Sequence, residues 1–239
     1  MDAIVFDWDG TLVDTLPAML GANAQVLSEY GLPFDEDRYR SVYTPDWRAM
    51  YLRLGVPEST IPAAGARWLE LYSAILTLEP FAGAEAALRR LSAVGHVMGI
   101  VTAGDRAVVE RQLERFGLSE LLPVRVCGDD DIAAKPHPAP LLRALEQLGA
   151  LERAEHATYV GDAPDDMRLA RAVGARGIGI VSILGTAEEL VAAGAAEVHP
   201  SVAAWVDAFL GPDPEGSAST PPVGRSTMGA STGAASNRG

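Results

Sequence analysis

The sequence predicts an α/β fold, a doubly wound parallel sheet with an all-helical cap inserted into it. Three observations lead there. Short apolar runs rich in β-formers recur along the chain, most followed by a helical pattern that a glycine closes. Residues 16–80 interrupt this alternation with helical patterns only. Polar residues with chemical capability gather at the carboxyl tips of the apolar runs, where open parallel sheets bind ligands.

In chain order, Ala3-Ile4-Val5-Phe6 is uniformly apolar, the pattern of a strand covered on both faces. Leu16, Met19, Leu20, Ala24 and Leu27 then recur at helical spacing, and Gly31 stops that helix. A second helical stretch over 35–54 is interrupted at Thr44-Pro45 and ended by Gly55. A third, 58–78, carries Trp68, Leu71, Tyr72 and Ile75 on one face. After Pro80, strands are expected at 96–101, 124–127, 157–160, 177–181 and, as a short edge, 197–199. Helices are expected at 84–93, 106–116, 139–148, about 165–173, 187–193 and 202–210. This divides the chain into a core of 1–15 and 80–210 and a cap of 16–79. From Gly211 to 239 the composition turns to Gly, Ser, Thr, Pro and Ala, which cannot offset ordering entropy, so a disordered tail is expected.

The 239 residues, nearly half of them hydrophobic, suffice for one α/β domain with an insertion. A formal net charge of −13 argues against a nucleic-acid backbone or an anionic membrane surface as partner. It does not exclude a phosphorylated small substrate, because a bound metal and one lysine reverse the sign locally. Cys127 is the single cysteine, so no intramolecular disulfide forms and a cytoplasmic location is the simplest expectation. The first apolar run, cut off at Asp7, is too short for a signal peptide, and no stretch is long enough to span a bilayer.

The strand tips carry the chemistry. Asp7 and Asp9 end the first strand, followed by Gly10 and Thr11. Two carboxylates so placed repel each other unless something offsets them, and a hard cation with oxygen ligands does so. Alone, Asp9-Gly10 reads as an ordinary turn. The second strand runs into Thr102, the third is followed by Asp129-Asp130-Asp131 and Lys135-Pro136, and the fourth ends in Gly161-Asp162 ahead of Asp165 and Asp166. Taken singly, Thr102 is a helix cap, Lys135 a solvated lysine, Asp162 and Asp166 helix-start acids, and 129–131 a solvated loop. Their joint placement at successive tips is hard to attribute to capping.

On these residues the chain resembles the haloacid dehalogenase superfamily, in particular its phosphoglycolate phosphatase-like branch, with a Rossmann-like core and a helical cap after the first strand. Asp7-Trp8-Asp9-Gly10-Thr11 matches the first motif, Val101-Thr102 the second, Lys135-Pro136 the third, and Gly161-Asp162 with Asp166 the fourth, over residues 1 to about 210. The resemblance implies Asp7 as a nucleophile that becomes an aspartyl phosphate, and Asp9 as general acid and then general base. It implies Thr102 and Lys135 on the phosphoryl oxygens, Lys135 also holding Asp7, and Gly10 and Thr11 as further substrate-binding positions. It implies Mg²⁺ held by Asp7, the main-chain carbonyl of Asp9, and Asp162, with Asp166 in support. Ala163 stands where the family often has Ser, and Asp165 leaves open which neighbouring acid supports the metal.

Those roles agree with what phosphoryl transfer requires: an oxygen nucleophile, cations on the equatorial oxygens and a proton for the leaving group. In the cap, Tyr43-Thr44-Pro45-Asp46-Trp47-Arg48 fits the place of the family's specificity loop, where Arg48 would meet a substrate carboxylate or second phosphate. Arg48 reads equally as an arginine on an amphipathic face. The implied activity is hydrolysis of a small, phosphoglycolate-like phosphorylated metabolite by a monomer or homodimer. A phosphomutase of the β-phosphoglucomutase kind, a haloacid dehalogenase and a non-catalytic binding protein on the same scaffold are the alternatives.

Overall fold

In the computed structural model, which describes residues 2–212, the chain begins with β1 (Ala3–Phe6). Four helices follow, α1 (Leu16–Glu29), α2 (Glu36–Val42), α3 (Trp47–Leu54) and α4 (Ile61–Ser73). The alternation then runs α5 (Ala84–Ala93), β2 (Val97–Val101), α6 (Arg106–Phe116), β3 (Val124–Val126), α7 (Ala139–Gln147) and β4 (Thr158–Gly161). It ends with α8 (Pro164–Val173), β5 (Arg176–Ile180), α9 (Ala187–Ala193), β6 (Glu197–His199) and α10 (Val202–Leu210). The tail expected at 211–239 lies, beyond Pro212, outside the described residues.

Among the described residues the strands form one six-stranded parallel sheet of order β3-β2-β1-β4-β5-β6. The order reverses at β1, so the crevice for a ligand opens beyond the carboxyl ends of β1 and β4. The uniform apolarity of β1 follows from its central place. Ile4 and Phe6 pack with Leu88, Leu113 and Trp205 on one face, and Ala3 and Val5 with Leu141, Leu145 and Leu169 on the other.

The helical insertion packs around Val26, Leu27, Tyr39, Tyr51, Leu54 and Ile61, a cluster that also takes in Ala163 and Leu184 from beyond β4. Thr44-Pro45 separates two short helices, each started by an aspartate: Asp35 accepts from the Arg38 N–H (2.7 Å) and Asp46 from the Arg48 N–H (3.0 Å). Gly55 closes α3 at φ +97. The helical stretch expected at 58–78 is realised as α4, which starts at Ile61 and stops at Ser73. The backbone there is needed elsewhere: Asp14 N–H donates to Glu79 O (3.1 Å) and Phe81 N–H to Leu12 O (2.9 Å), joining the two chain crossings between cap and core. No described helix is long and apolar enough to cross a membrane.

Candidate active site

The strand β1 delivers Asp7, whose N–H donates to Val160 O (2.8 Å) one residue beyond the strand. The chain then turns tightly, with the Leu12 and Val13 N–H groups on Trp8 O (3.0 and 3.1 Å) and the Gly10 N–H on Val13 O (2.9 Å). Gly10 sits at φ +78, and a Cβ there would lie 2.5 Å from Asp162 Oδ2. Only glycine lets this turn press against the tip of β4. Gly161 is constrained likewise, since its Cβ would meet Asp166 Cγ at 2.5 Å.

That packing gathers three buried acids around one amine. Lys135 Nζ lies 2.9 Å from Asp7 Oδ1 and 2.8 Å from Asp166 Oδ1. The other Asp166 oxygen accepts from the Ala163 N–H (3.0 Å), so this residue both starts α8 and faces the site. Thr11 Oγ1 donates to Asp162 Oδ1 (3.2 Å), while Asp162 Oδ2 is buried without a hydrogen-bond partner among the described residues. Asp7, Asp162 and Asp166 each bring a carboxylate oxygen to within 4.8 Å of the others. Burial, with Asp166 and Asp162 nearby, holds the Asp7 carboxyl well above its ordinary range despite Lys135. Burial and the charge of Asp166 push Asp162 up to about 7. Lys135 is held above its usual range, because Asp166 and Asp7 outweigh the burial that opposes its charge. Three carboxylates to one ammonium, with an unpartnered oxygen among them, is a donor set that fits Mg²⁺, a hard cation that takes oxygen ligands.

The Asp9 side chain is not part of that convergence. Its Oδ1 accepts from the Tyr72 hydroxyl (3.2 Å) and its Oδ2 from Thr102 Oγ1 (3.4 Å). Burial raises its carboxyl, and the hydroxyls of Thr15, then Tyr72 and Thr102, with the charge of Lys135, draw it back. Thr102 is not the cap of α6: its Oγ1 accepts from the Gly104 N–H (2.9 Å), and Asp105 caps the helix by accepting from the Val108 N–H (3.3 Å). Lys135 is buried, not solvated.

A cavity of about 1090 Å³ extends from Asp7 and Lys135 to an aromatic wall of Tyr43, Trp47, Trp68 and Tyr72. Arg48 is exposed at its rim, its guanidinium 4.5 Å over the Trp47 ring. The solvated reading of 129–131 holds for the exposed Asp129 and Asp131 and needs correction at Asp130. Asp129 accepts from the Arg106 N–H (2.9 Å), and Asp130 pairs with the Arg106 guanidinium (2.7 and 2.8 Å) while accepting from the Cys127 N–H (3.1 Å). Asp131 alone is exposed without such a partner among the described residues. Asp165 turns outward to Arg168 (2.6 Å), so Asp166 is the neighbour that enters the cluster. Cys127 is buried, and burial pushes its thiol up to about 12. Tyr159, which reads from sequence as a core residue of β4, places its hydroxyl 3.0 Å from Val101 O and 3.3 Å from Asp166 Oδ1.

Residues 4–180 match the family model of haloacid dehalogenase-like hydrolases. A phosphoglycolate phosphatase of Xanthomonas campestris pv. campestris (strain 8004) is 36% identical over 181 residues, 72% of this chain and 79% of that protein. An N-acetylmuramic acid 6-phosphate phosphatase of Pseudomonas aeruginosa is 32% identical over 185 residues, 74% of this chain and 80% of the other. Among solved structures, a hydrolase from Pseudomonas syringae superimposes with a TM-score of 0.76 at 22% identity, covering 87% of this chain and 98% of that one, a likeness of fold alone. With its sheet order, its helical cap and a family match over most of its length, the chain belongs to the haloacid dehalogenase-like hydrolases.

Proposed function

We propose that this phosphoric monoester hydrolase works with Mg²⁺ and through an aspartyl phosphate on Asp7, on a small phosphorylated metabolite of the phosphoglycolate kind. The observation that carries the reading is Lys135 held between Asp7 and Asp166, with the unpartnered Asp162 oxygen beside them. Asp7, the main-chain carbonyl of Asp9, and Asp162 would hold Mg²⁺, with Asp166 in support. When bound, the ion neutralises charge on the phosphoryl oxygens. Lys135 keeps the Asp7 oxygen aimed and offsets charge on the transferred group. The Thr102 hydroxyl and the turn at Gly10 and Thr11 take the remaining phosphoryl oxygens. Asp7 attacks phosphorus and Asp9 gives its proton to the departing oxygen. Asp9 then takes a proton from the water that cleaves the acyl phosphate, which frees phosphate and restores Asp7. In this reading residues 16–79 are the cap and 1–15 with 80–210 the catalytic core, of a cytoplasmic monomer or homodimer.

Phosphate release from a panel of phosphate esters, with and without Mg²⁺, tests the reaction; release that survives chelation would sink the metal's role. Mg²⁺ itself should raise Tm, by the equivalent of about 2.7 kcal/mol at a hundredfold excess over its Kd. Asp162→Asn should lose that rise, and keeping it would remove Asp162 from the metal site.

The names of the two relatives denote phosphate esters of carboxylic acids. Lys135 and Arg48 are the cationic side chains on the cavity among the described residues, and Lys135 is already engaged. Arg48 is therefore assigned to a substrate carboxylate. Arg48→Ala should raise KM for a carboxylate-bearing ester about fivefold to tenfold, some 1–1.4 kcal/mol, with kcat nearly unchanged. An equal rise for nitrophenyl phosphate, which has no carboxylate, would contradict the assignment.

A further inference from the structure

Asp9 is the end point of a buried chain of hydrogen bonds whose direction is fixed from the far end. Trp8 Nε1 lies 2.6 Å from Gln112 Oε1, Gln112 Nε2 lies 3.5 Å from the Tyr72 hydroxyl, and that hydroxyl lies 3.2 Å from Asp9 Oδ1. An indole N–H only donates. It holds the carbonyl end of the Gln112 amide on itself and so turns the amide NH₂ towards Tyr72. The Tyr72 oxygen accepts there, and its single proton goes to Asp9. All three side chains are buried. Trp68 stacks on the Tyr72 ring, with centroids 4.8 Å apart and planes at 11°, which restrains the phenol from swinging away.

The geometry points to Tyr72 as a positioning residue for proton transfer by Asp9: it keeps Oδ1 an acceptor and leaves Oδ2 to carry the proton. This rests on the reading of Asp9 as general acid and base. Oδ2 accepts from the Thr102 hydroxyl at 3.4 Å; once that hydroxyl turns to a phosphoryl oxygen, as assigned above, Oδ2 faces the reacting side and is free to carry the proton. In the first step the Oδ2–H bond breaks, the leaving-group oxygen gains the proton, and Asp9 is left as a carboxylate. In the second, a water O–H bond breaks and Oδ2 regains a proton, while the water oxygen bonds to phosphorus and the bond from Asp7 to phosphorus breaks. A carboxyl without the Tyr72 contact would divide its time between two orientations, one of them with the proton on the wrong oxygen. Tyr72 comes from the last turn of α4 in the cap, whereas Trp8 and Gln112 belong to the core. The acid is therefore set only while the end of α4 sits against α6.

Tyr72→Phe keeps the ring and its stack and removes only the hydroxyl. On an alkyl phosphate, kcat should fall about tenfold, the loss of one hydrogen bond to a charged group, with KM constant within about twofold. Rapid-quench formation of the phosphoenzyme from acetyl phosphate, whose leaving group needs no proton, should keep its rate within about twofold. Trp8→Phe, which frees the Gln112 amide to flip, should show the same leaving-group pattern at about threefold. In an Asp9→Asn background, Tyr72→Phe should add nothing further. Equal losses with both esters, a change confined to KM, or additive loss in that background would reduce Tyr72 to a prop for the cap. An active wild type with an unimpaired Tyr72→Phe would overturn the positioning role alone. A wild type inert with every ester would overturn the phosphatase reading beneath it.

Discussion

Asp7→Asn is expected to abolish phosphate release while leaving the fold intact. The amide has the shape of the carboxylate but is a poor nucleophile at phosphorus, so the covalent step has no attacking oxygen. Stability should not suffer, because the variant removes one of three buried acids that raise each other's carboxyl range, and Lys135 keeps its 2.8 Å contact with Asp166. Turnover should drop below detection, Tm should hold or rise, and intact-mass measurement after rapid quench should find no adduct of phosphate mass. A hydroxylamine-sensitive adduct of that mass on Asp7→Asn would place the nucleophile elsewhere.

Lys135→Met should instead damage the fold. The ammonium is buried between two carboxylates at 2.9 and 2.8 Å, with Asp162 close by. Removing one partner of a buried ion pair costs about 3–5 kcal/mol, because the other charges stay behind unpaired. In a protein of this size that lowers Tm by roughly 6–20 °C. Activity should vanish with it, since Asp7 loses the contact that aims its oxygen. A second change, Asp166→Asn, should restore part of the stability but none of the turnover. Calorimetry on the single and double variants checks this, and a Tm within about 2 °C of wild type would show that the amine does not balance the acids.

The sheet was readable because its strands are covered on both faces, which makes each an unbroken apolar run that a helix and a glycine follow. The helical insertion was readable by the same token, from the absence of such runs over 16–80. The end of α4 was not readable: Ile75 and Leu78 continue the apolar pattern, while the pairing of 79–81 with 12–14 that ends the helix is a tertiary event. Asp7, Thr102, Lys135, Asp162 and Asp166 stood out because strand tips are where polarity is unexpected. The choice between Asp165 and Asp166 waited on the phase of α8, which turns one to Arg168 and the other inward. Asp130 looked solvated because its partner, Arg106, lies far back in the chain. Trp8 and Tyr72 gave no polar signal, and nothing in the sequence ties Gln112 to them. An indole or a phenol at an apolar position reads as core, and the bonds that link them join distant segments.

The central place of β1 governs how the chain can be made. Ile4 pairs with Met98 on one side and Thr158 on the other. On the ribosome, Ala3–Phe6 emerges before both of those strands and has neither neighbour until they have been synthesised. Through that interval a fully apolar segment with unpaired backbone groups is open to the surroundings, a natural target for a chaperone that binds extended hydrophobic peptide. The intervening helices have local contacts and are free to fold as they appear, shortening the loop that β1 must close. Asp7, the proposed nucleophile, is made ahead of both strands that flank it and is thus among the last parts of the enzyme to be assembled.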